Sequence, residues 1–268
     1  MKGLAQRCIC VFLNAKVELT YEQEVESLAR KGKMVDKEIE SKYLGETKVL
    51  KVYYPESFSD LYKYNICMMF DGDDYYQMGR IATFSDRLHE DYELTNTIFV
   101  GIHYKDAEDR RRKYHPNGNE YDAFTKFVVK EVVPLLDDLL PTYHMGKSRI
   151  LMGDSLAGTF SLLTALRYPN TFGKVILQSP FIDEPVMEQV KQAKDLAALD
   201  IYHTIGAKED EAKLTDGSTV DQLTPNRELK ALLEAGNSNY LYYELEDGEH
   251  TWKYWQKDMI RALTSIID

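Results

Sequence analysis

Ile150-Leu-Met-Gly153-Asp-Ser155-Leu-Ala-Gly158 decides the reading of this chain. An apolar run enters Gly-x-Ser and passes directly into Ala157 to Tyr168, a helix-forming stretch closed by Pro169. A hydrophobic strand that turns sharply into a helix at a serine is the context of a nucleophile elbow, where the hydroxyl stands exposed at the strand's C-terminal end. The close approach of strand and helix demands small residues around the serine. Gly153 supplies one side, and Ala157 and Gly158 supply the other; the usual G-x-S-x-G has its last glycine replaced by Ala157. The same turn puts Ser155 at a helix N-terminus, where the Leu156 N–H can meet a developing oxyanion. A serine that only caps a helix shares the Gly-x-Ser turn, but not the combination of apolar strand, helix and small neighbours.

Outward from the elbow, strands and helices alternate from Lys33 onward. Lys48 to Tyr54 alternates and stops at Pro55, which reads as a strand near the sheet edge. Ile66–Phe70 and Thr97–Ile102 are short apolar runs of the kind buried on both faces, with helical spacing over residues 80–94 between them. Ser148–Met152, Lys174–Gln178, Asp200–Ile205 and Asn239–Leu245 complete the strand set. Helices are expected over Tyr121–Leu140, kinked at Pro134, and over Thr224–Ala235 and Trp252–Ile267. This order predicts an α/β fold with a mostly parallel central sheet and helices on both faces. Residues 1–32 stand apart as an appendage, with a helix expected over Leu19–Arg30 behind Thr20 as N-cap. Residues 33–268 then form the main domain, and Pro180–Leu199 is long enough to be a small cap.

Charge and composition narrow the function. With 33 Lys+Arg against 44 Asp+Glu the net charge is −11, which disfavours nucleic acid or an anionic membrane as partner. The apolar run Cys8–Leu13 is too short for a signal peptide, and no stretch approaches a membrane span. Cys8, Cys10 and Cys67 make neither a disulfide framework nor a zinc site, so a reducing cytoplasm is expected. The oligomeric state stays open, a homo-oligomer included.

A serine nucleophile needs a base and an acid in the chain order Ser, acid, His. Among six histidines, His250 lies in Glu246-Asp-Gly-Glu-His250-Thr-Trp252, after the last strand and before the final helix. The acid is expected after the Asp200–Ile205 strand, in Gly206-Ala-Lys-Glu209-Asp210; either Glu209 or Asp210 can reach, but only one can orient His250. A second oxyanion donor is expected from the loop Phe70-Asp71-Gly72-Asp73-Asp74-Tyr75, where Gly72 lets the backbone turn and Asp73 offers its N–H. Its three aspartates lack the rest of a calcium loop. No metal or organic cofactor is required. Tyr75, Tyr76, Tyr104 and Tyr114 read as walls of a pocket mouth or as packed rings. Arg110–Arg112 reads as an anion site or, more simply, as a solvated loop.

Together FDGDDY, Arg110-Arg-Arg-Lys-Tyr-His-Pro116, MGDSLAG, Gln178-Ser-Pro180 and DGEHTW resemble the Putative esterase family of α/β-hydrolases, with its enterochelin-esterase-like and esterase-D-like members. The resemblance runs from about Lys33 to the C-terminus. It implies an α/β-hydrolase fold and a serine esterase acting on a small-molecule ester, with Ser155 as nucleophile, His250 as base, Glu209 or Asp210 as acid, and Gly72–Asp73 in the oxyanion hole. Two other readings compete. Gly153-Asp-Ser-Leu156 with Asp247-Gly-Glu-His250 spells the blocks of GDSL hydrolases and would make Asp247 the acid, but that block belongs near an N-terminus. The other is a non-catalytic binding or scaffold protein on a hydrolase fold.

Overall fold

Apolar runs and their alternation become an eight-stranded sheet in the computed structural model, which describes residues 10–12, 15–17, 30–213, 217–236 and 239–267. Strands β1 (Cys10–Phe12) and β2 (Ala15–Val17) pair antiparallel as a separate two-stranded sheet. Nearly all of the helix expected over Leu19–Arg30 lies outside the described residues. The main sheet contains β3 (Lys33–Ser41), β4 (Glu46–Tyr54), β5 (Asn65–Phe70), β6 (Thr97–Ile102), β7 (Arg149–Asp154), β8 (Lys174–Gln178), β9 (Asp200–Gly206) and β12 (Asn239–Leu245). Their order across the sheet is β12-β9-β8-β7-β5-β6-β4-β3. Only β3 with β4 and β4 with β6 are antiparallel; the pairs from β6 through β12 are parallel. Two short strands, β10 (Ala212–Lys213) and β11 (Thr219–Val220), pair outside it. The charged strand β3 forms the edge, so β4 lies one strand in.

Every residue of β5, β6, β7 and β8 is buried, because helices cover both faces. Alternation along β5 divides the core. Ile66, Met68 and Phe70 face a cluster with Phe124, Phe127, Phe160 and Leu163, whereas Cys67 and Met69 face Tyr75, Leu88, Met259 and Leu263. The first cluster receives α4 (Tyr121–Phe127), α5 (Val133–Leu139), α6 (Ser155–Arg167), α7 (Glu184–Gln192) and α8 (Leu223–Ala235). The second receives α1 (Gly72–Gln77), α2 (Ile81–Glu90) and α9 (Trp252–Ile266). Helix α3 (Ala107–Tyr114) sends Tyr114 into the first. Each fully buried apolar side chain of this kind stabilises the fold by about 1.5–3 kcal/mol.

Two local departures have physical causes. The kink expected at Pro134 is spread upstream as a π turn over Val128–Val132, with the Val133 N–H donating to the carbonyl of Val128. Proline lacks an N–H and crowds the carbonyl four residues back, and widening the preceding turn relieves that crowding. The segment after β5, expected as a loop, is instead a helix from Gly72, because Asp71 takes the left-handed conformation (φ 62°) and starts the helix at once.

Candidate active site

The C-terminal ends of the parallel strands converge on Ser155. It has φ 48°, the left-handed region that costs a non-glycine residue about 1 kcal/mol or more, as an elbow requires. Gly153 makes the turn physically passable: a Cβ there would lie 2.3 Å from the backbone carbonyl carbon and oxygen of Ala157. Gly158 sits over Gly153 and Pro180. The Ser155 carbonyl accepts from the Phe181 N–H at 3.0 Å, which ties the elbow to the segment after β8.

His250 Nε2 lies 3.0 Å from Ser155 Oγ, and His250 Nδ1 lies 2.6 Å from Glu209 Oε2. Glu209 is fully buried, on the short 3₁₀ turn that follows β9, and its Oε1 accepts from the Gly206 N–H at 2.8 Å. Of the two neighbouring acids, the structure brings Glu209 to the imidazole, while Asp210 on the same turn is exposed. Asp247, the acid of the GDSL-type reading, is 82 % exposed and pairs with Lys208 at 3.0 Å instead. With a carboxylate on Nδ1, the imidazole keeps its proton there and presents a lone pair from Nε2 to the serine hydroxyl. Such an arrangement can take the serine proton and return it.

The residues expected to donate to an oxyanion lie on two elements, the start of α6 and the start of α1. Leu156 follows the serine in the first turn of α6 and is buried. Gly72 is pressed against β6, where a Cβ would meet Gly101 Cα at 2.4 Å. The Asp73 N–H is directed at His103 Nδ1 (3.3 Å), and its carboxylate pairs with Lys51 at 2.8 Å. The three aspartates of this segment diverge: Asp71 goes to Arg110, Asp73 to Lys51, and Asp74 accepts from the Tyr104 hydroxyl. They form no shared cradle.

Arg110 has a role different from either one first expected, and of the two readings of the tyrosines the structure favours packing. Arg110 is buried; its Nη2 and Nε donate to Asp71 Oδ2 at 2.6 and 2.8 Å, and Nη2 also reaches the Asp154 carbonyl at 3.3 Å. Burial weighs against its charge, but the adjacent Asp71 carboxylate outweighs that and the net shift is upward. Arg112 pairs with Glu108, Asp109 and Glu120. The arginine run is thus neither an anion site nor wholly solvated. Asp154, between Gly153 and Ser155, is buried with no partner for Oδ1; burial, reinforced by the Asp71 charge, pushes its carboxyl far above the usual range. Tyr75 and Tyr114 are buried, Tyr76 bonds the carbonyls of Lys51 and Phe99, and Tyr104 is half-buried, so these rings chiefly pack. Ser179, Trp255 and Gln178 form a hydrogen-bonded series behind Glu209; Gln178-Ser-Pro180 entered the sequence reading only as part of the family resemblance, with no role given.

No helix among the described residues is long and apolar enough to cross a membrane. Comparison with known proteins gives the family and the fold. The chain is 45 % identical over 238 residues to the uncharacterized protein YjcH of Bacillus subtilis (strain 168), covering 89 % of this chain and 99 % of that one. Solved structures share the fold: a ferulic acid esterase (17 % identity, TM-score 0.72, 88 % of this chain and 98 % of that one) and the BES protein from Bacillus cereus (19 %, 0.72, 88 % and 95 %). The enterochelin esterase from Shigella flexneri superposes with a TM-score of 0.76 at 18 % identity; 89 % of this chain spans only 59 % of that longer protein. At these identities the structures speak for the fold, which is the α/β-hydrolase fold. The family model described as Putative esterase matches residues 41–266, so with its elbow, strand order and chain order of acid and histidine this chain belongs to that family of esterase-type hydrolases.

Proposed function

We propose that the protein is a serine esterase that hydrolyses a carboxylic ester of a small molecule through an acyl-enzyme. The observation that carries this reading is the continuous contact from Glu209 through His250 to Ser155, at 2.6 and 3.0 Å, with the serine in a strained elbow. In the first step His250 Nε2 takes the hydroxyl proton as Ser155 Oγ bonds to the ester carbonyl carbon. The carbonyl oxygen becomes an oxyanion, received by the Leu156 N–H and by the Asp73 N–H, which exchanges its 3.3 Å contact with His103 for that charge. Collapse of the adduct breaks the carbon–oxygen bond to the alcohol, which leaves with the proton from His250. Water then repeats the sequence: His250 removes its proton, hydroxide adds to the acyl carbon, and Ser155 Oγ leaves reprotonated. Glu209 keeps the imidazole proton on Nδ1 and stabilises the imidazolium between transfers.

The test is labelling of the purified protein with a fluorophosphonate probe, located by peptide mass spectrometry, alongside hydrolysis of a panel of p-nitrophenyl esters. Labelling at Ser155, with loss of both label and turnover in Ser155→Ala, is expected. A folded protein that takes no label and cleaves no ester overturns the proposal and leaves a binding role on a hydrolase fold.

A further inference from the structure

Ser179 is the middle residue of Gln178-Ser-Pro180 and is fully buried at the end of β8. It is also one of the few non-glycine residues with φ in the left-handed region, at 48°. A serine held there costs about 1 kcal/mol or more relative to an ordinary conformation. Its backbone is pinned by the N–H bond to the Thr204 carbonyl at 2.7 Å, and its hydroxyl donates to Glu209 Oε1 at 2.6 Å. From the other side, Trp255 Nε1 donates to Ser179 Oγ at 2.9 Å.

The donor inventory leaves these bonds only one direction. An indole N–H can only donate, and an ionised carboxylate can only accept, so the serine hydroxyl must accept from Trp255 and give its proton to Glu209. Continuing, Glu209 Oε2 accepts from His250 Nδ1, and His250 Nε2 accepts from Ser155 Oγ. One oxygen of Glu209 is therefore occupied by the Ser179 hydroxyl and the Gly206 N–H, and the other is turned to the imidazole. Trp255 is in turn anchored: Gln178 Nε2 donates to its carbonyl at 2.9 Å, and Gln178 Oε1 accepts from the Tyr75 hydroxyl at 3.0 Å. The indole also stands edge-on to the His250 ring, with centroids 5.0 Å apart and an interplanar angle of 86°. Glu209 is sealed from bulk solvent, so its hydrogen bonds come from within the protein.

We propose that Ser179 and Trp255 are positioning residues for ester cleavage: a one-way chain of hydrogen bonds from the indole through the Ser179 hydroxyl holds the Glu209 carboxylate with Oε2 facing His250. This rests on the serine-esterase reading above. Neither residue touches substrate. Their effect is on the orientation of the acid, and through it on the tautomer and aim of the histidine.

The experiment measures kcat and KM on a short-chain p-nitrophenyl ester, together with the far-downfield proton resonance of His250 Nδ1–H, assigned by its disappearance in His250→Ala. Ser179→Ala is expected to lower kcat about 10- to 100-fold, the worth of a hydrogen bond to a charged group, with KM within about twofold. Trp255→Phe keeps the ring beside His250 but removes the N–H, and is expected to lower kcat about 3- to 10-fold. In both variants the resonance should move upfield or broaden. If both keep wild-type kcat and an unmoved resonance, Ser179 and Trp255 only fill space and the proposal falls. If Ser179→Ala does not fold, Trp255→Phe and Ser179→Cys decide by the same readouts. Ser155→Ala separates the two readings: should it retain turnover, the esterase mechanism fails, whereas the resonance reports on the chain without any turnover.

Discussion

Ser155 stands between two flanks built from opposite kinds of interaction. On the side of β5, the start of α1 is fixed by a buried ion pair, Arg110 on α3 with Asp71, and the same guanidinium holds the Asp154 carbonyl just before Ser155. On the side of β8 and β9, Glu209 is fixed by donors without charge, Ser179, Gly206 and, behind them, Trp255. The ion pair bears on backbone: it holds Asp71 in its left-handed conformation and so aims the first N–H groups of α1. The neutral chain bears on protonation: each link has one permitted direction, and that direction ends with a lone pair on His250 Nε2. Losing one partner of the charged brace strands a buried charge outright, whereas losing one donor of the neutral brace leaves Glu209 with the remaining Gly206 N–H and His250 contacts.

The sharpest attack on the acid flank is Glu209→Gln, which leaves the shape but removes the acceptor-only partner of Nδ1. Turnover should fall roughly 10⁴-fold, read as kcat on an activated ester with labelling of Ser155 slowed in parallel. On the charged flank, Arg110→Met should cost about 3–5 kcal/mol in urea unfolding by stranding Asp71. Adding Asp71→Asn, which tolerates the left-handed backbone, should restore a large part of that loss; no recovery would show that the guanidinium acts by packing alone. The third test uses acid. Burial, opposed in part by the Asn226 hydrogen bond, pulls the His203 pKa down to about 4. Between that value and about 6.5, where the unfolded chain titrates, the unfolded state binds the proton and the folded state does not. Stability should therefore fall as pH drops through that window, by at most about 3 kcal/mol from this residue, and His203→Gln should flatten the slope. The smallest effect distinguishes the two neighbouring acids: Asp210→Asn should change kcat by no more than about twofold.

What could be read in advance followed the distance over which each residue finds its partners. The elbow was legible because its requirements fall within six residues, Gly153 to Gly158, and the mostly parallel sheet because its buried strands are short apolar runs alternating with helices; the order of the strands across the sheet was not read in advance. His250 was singled out by chain order together with its place between the last strand and the final helix. Glu209 and Asp210 were not separable in sequence, since adjacent residues on a 3₁₀ turn point apart and only the fold says which points inward. Arg110 meets Asp71 across 39 positions and Trp255 meets Ser179 across 76, and no local pattern marks either pairing. The start of α1 was hidden for a different reason: Asp-Gly-Asp-Asp carries turn chemistry, and a left-handed Asp71 turns that chemistry into a helix start.

The acid turn and the histidine loop are joined backbone to backbone. The Lys208 N–H donates to the Gly248 carbonyl at 2.9 Å, and a Cβ on Gly206 would lie 2.4 Å from that same carbonyl. Both segments hang from β9 and the half-exposed edge strand β12, whereas Ser155 rises from β7 in the middle of the sheet. Edges open at lower free energy than centres. Partial unfolding from that edge should then carry Glu209 and His250 away together while Ser155 stays put. In hydrogen exchange, the amides of Lys208 and Gly248 should report one shared opening event, and catalysis should disappear with it, at denaturant concentrations that leave β7 fully protected.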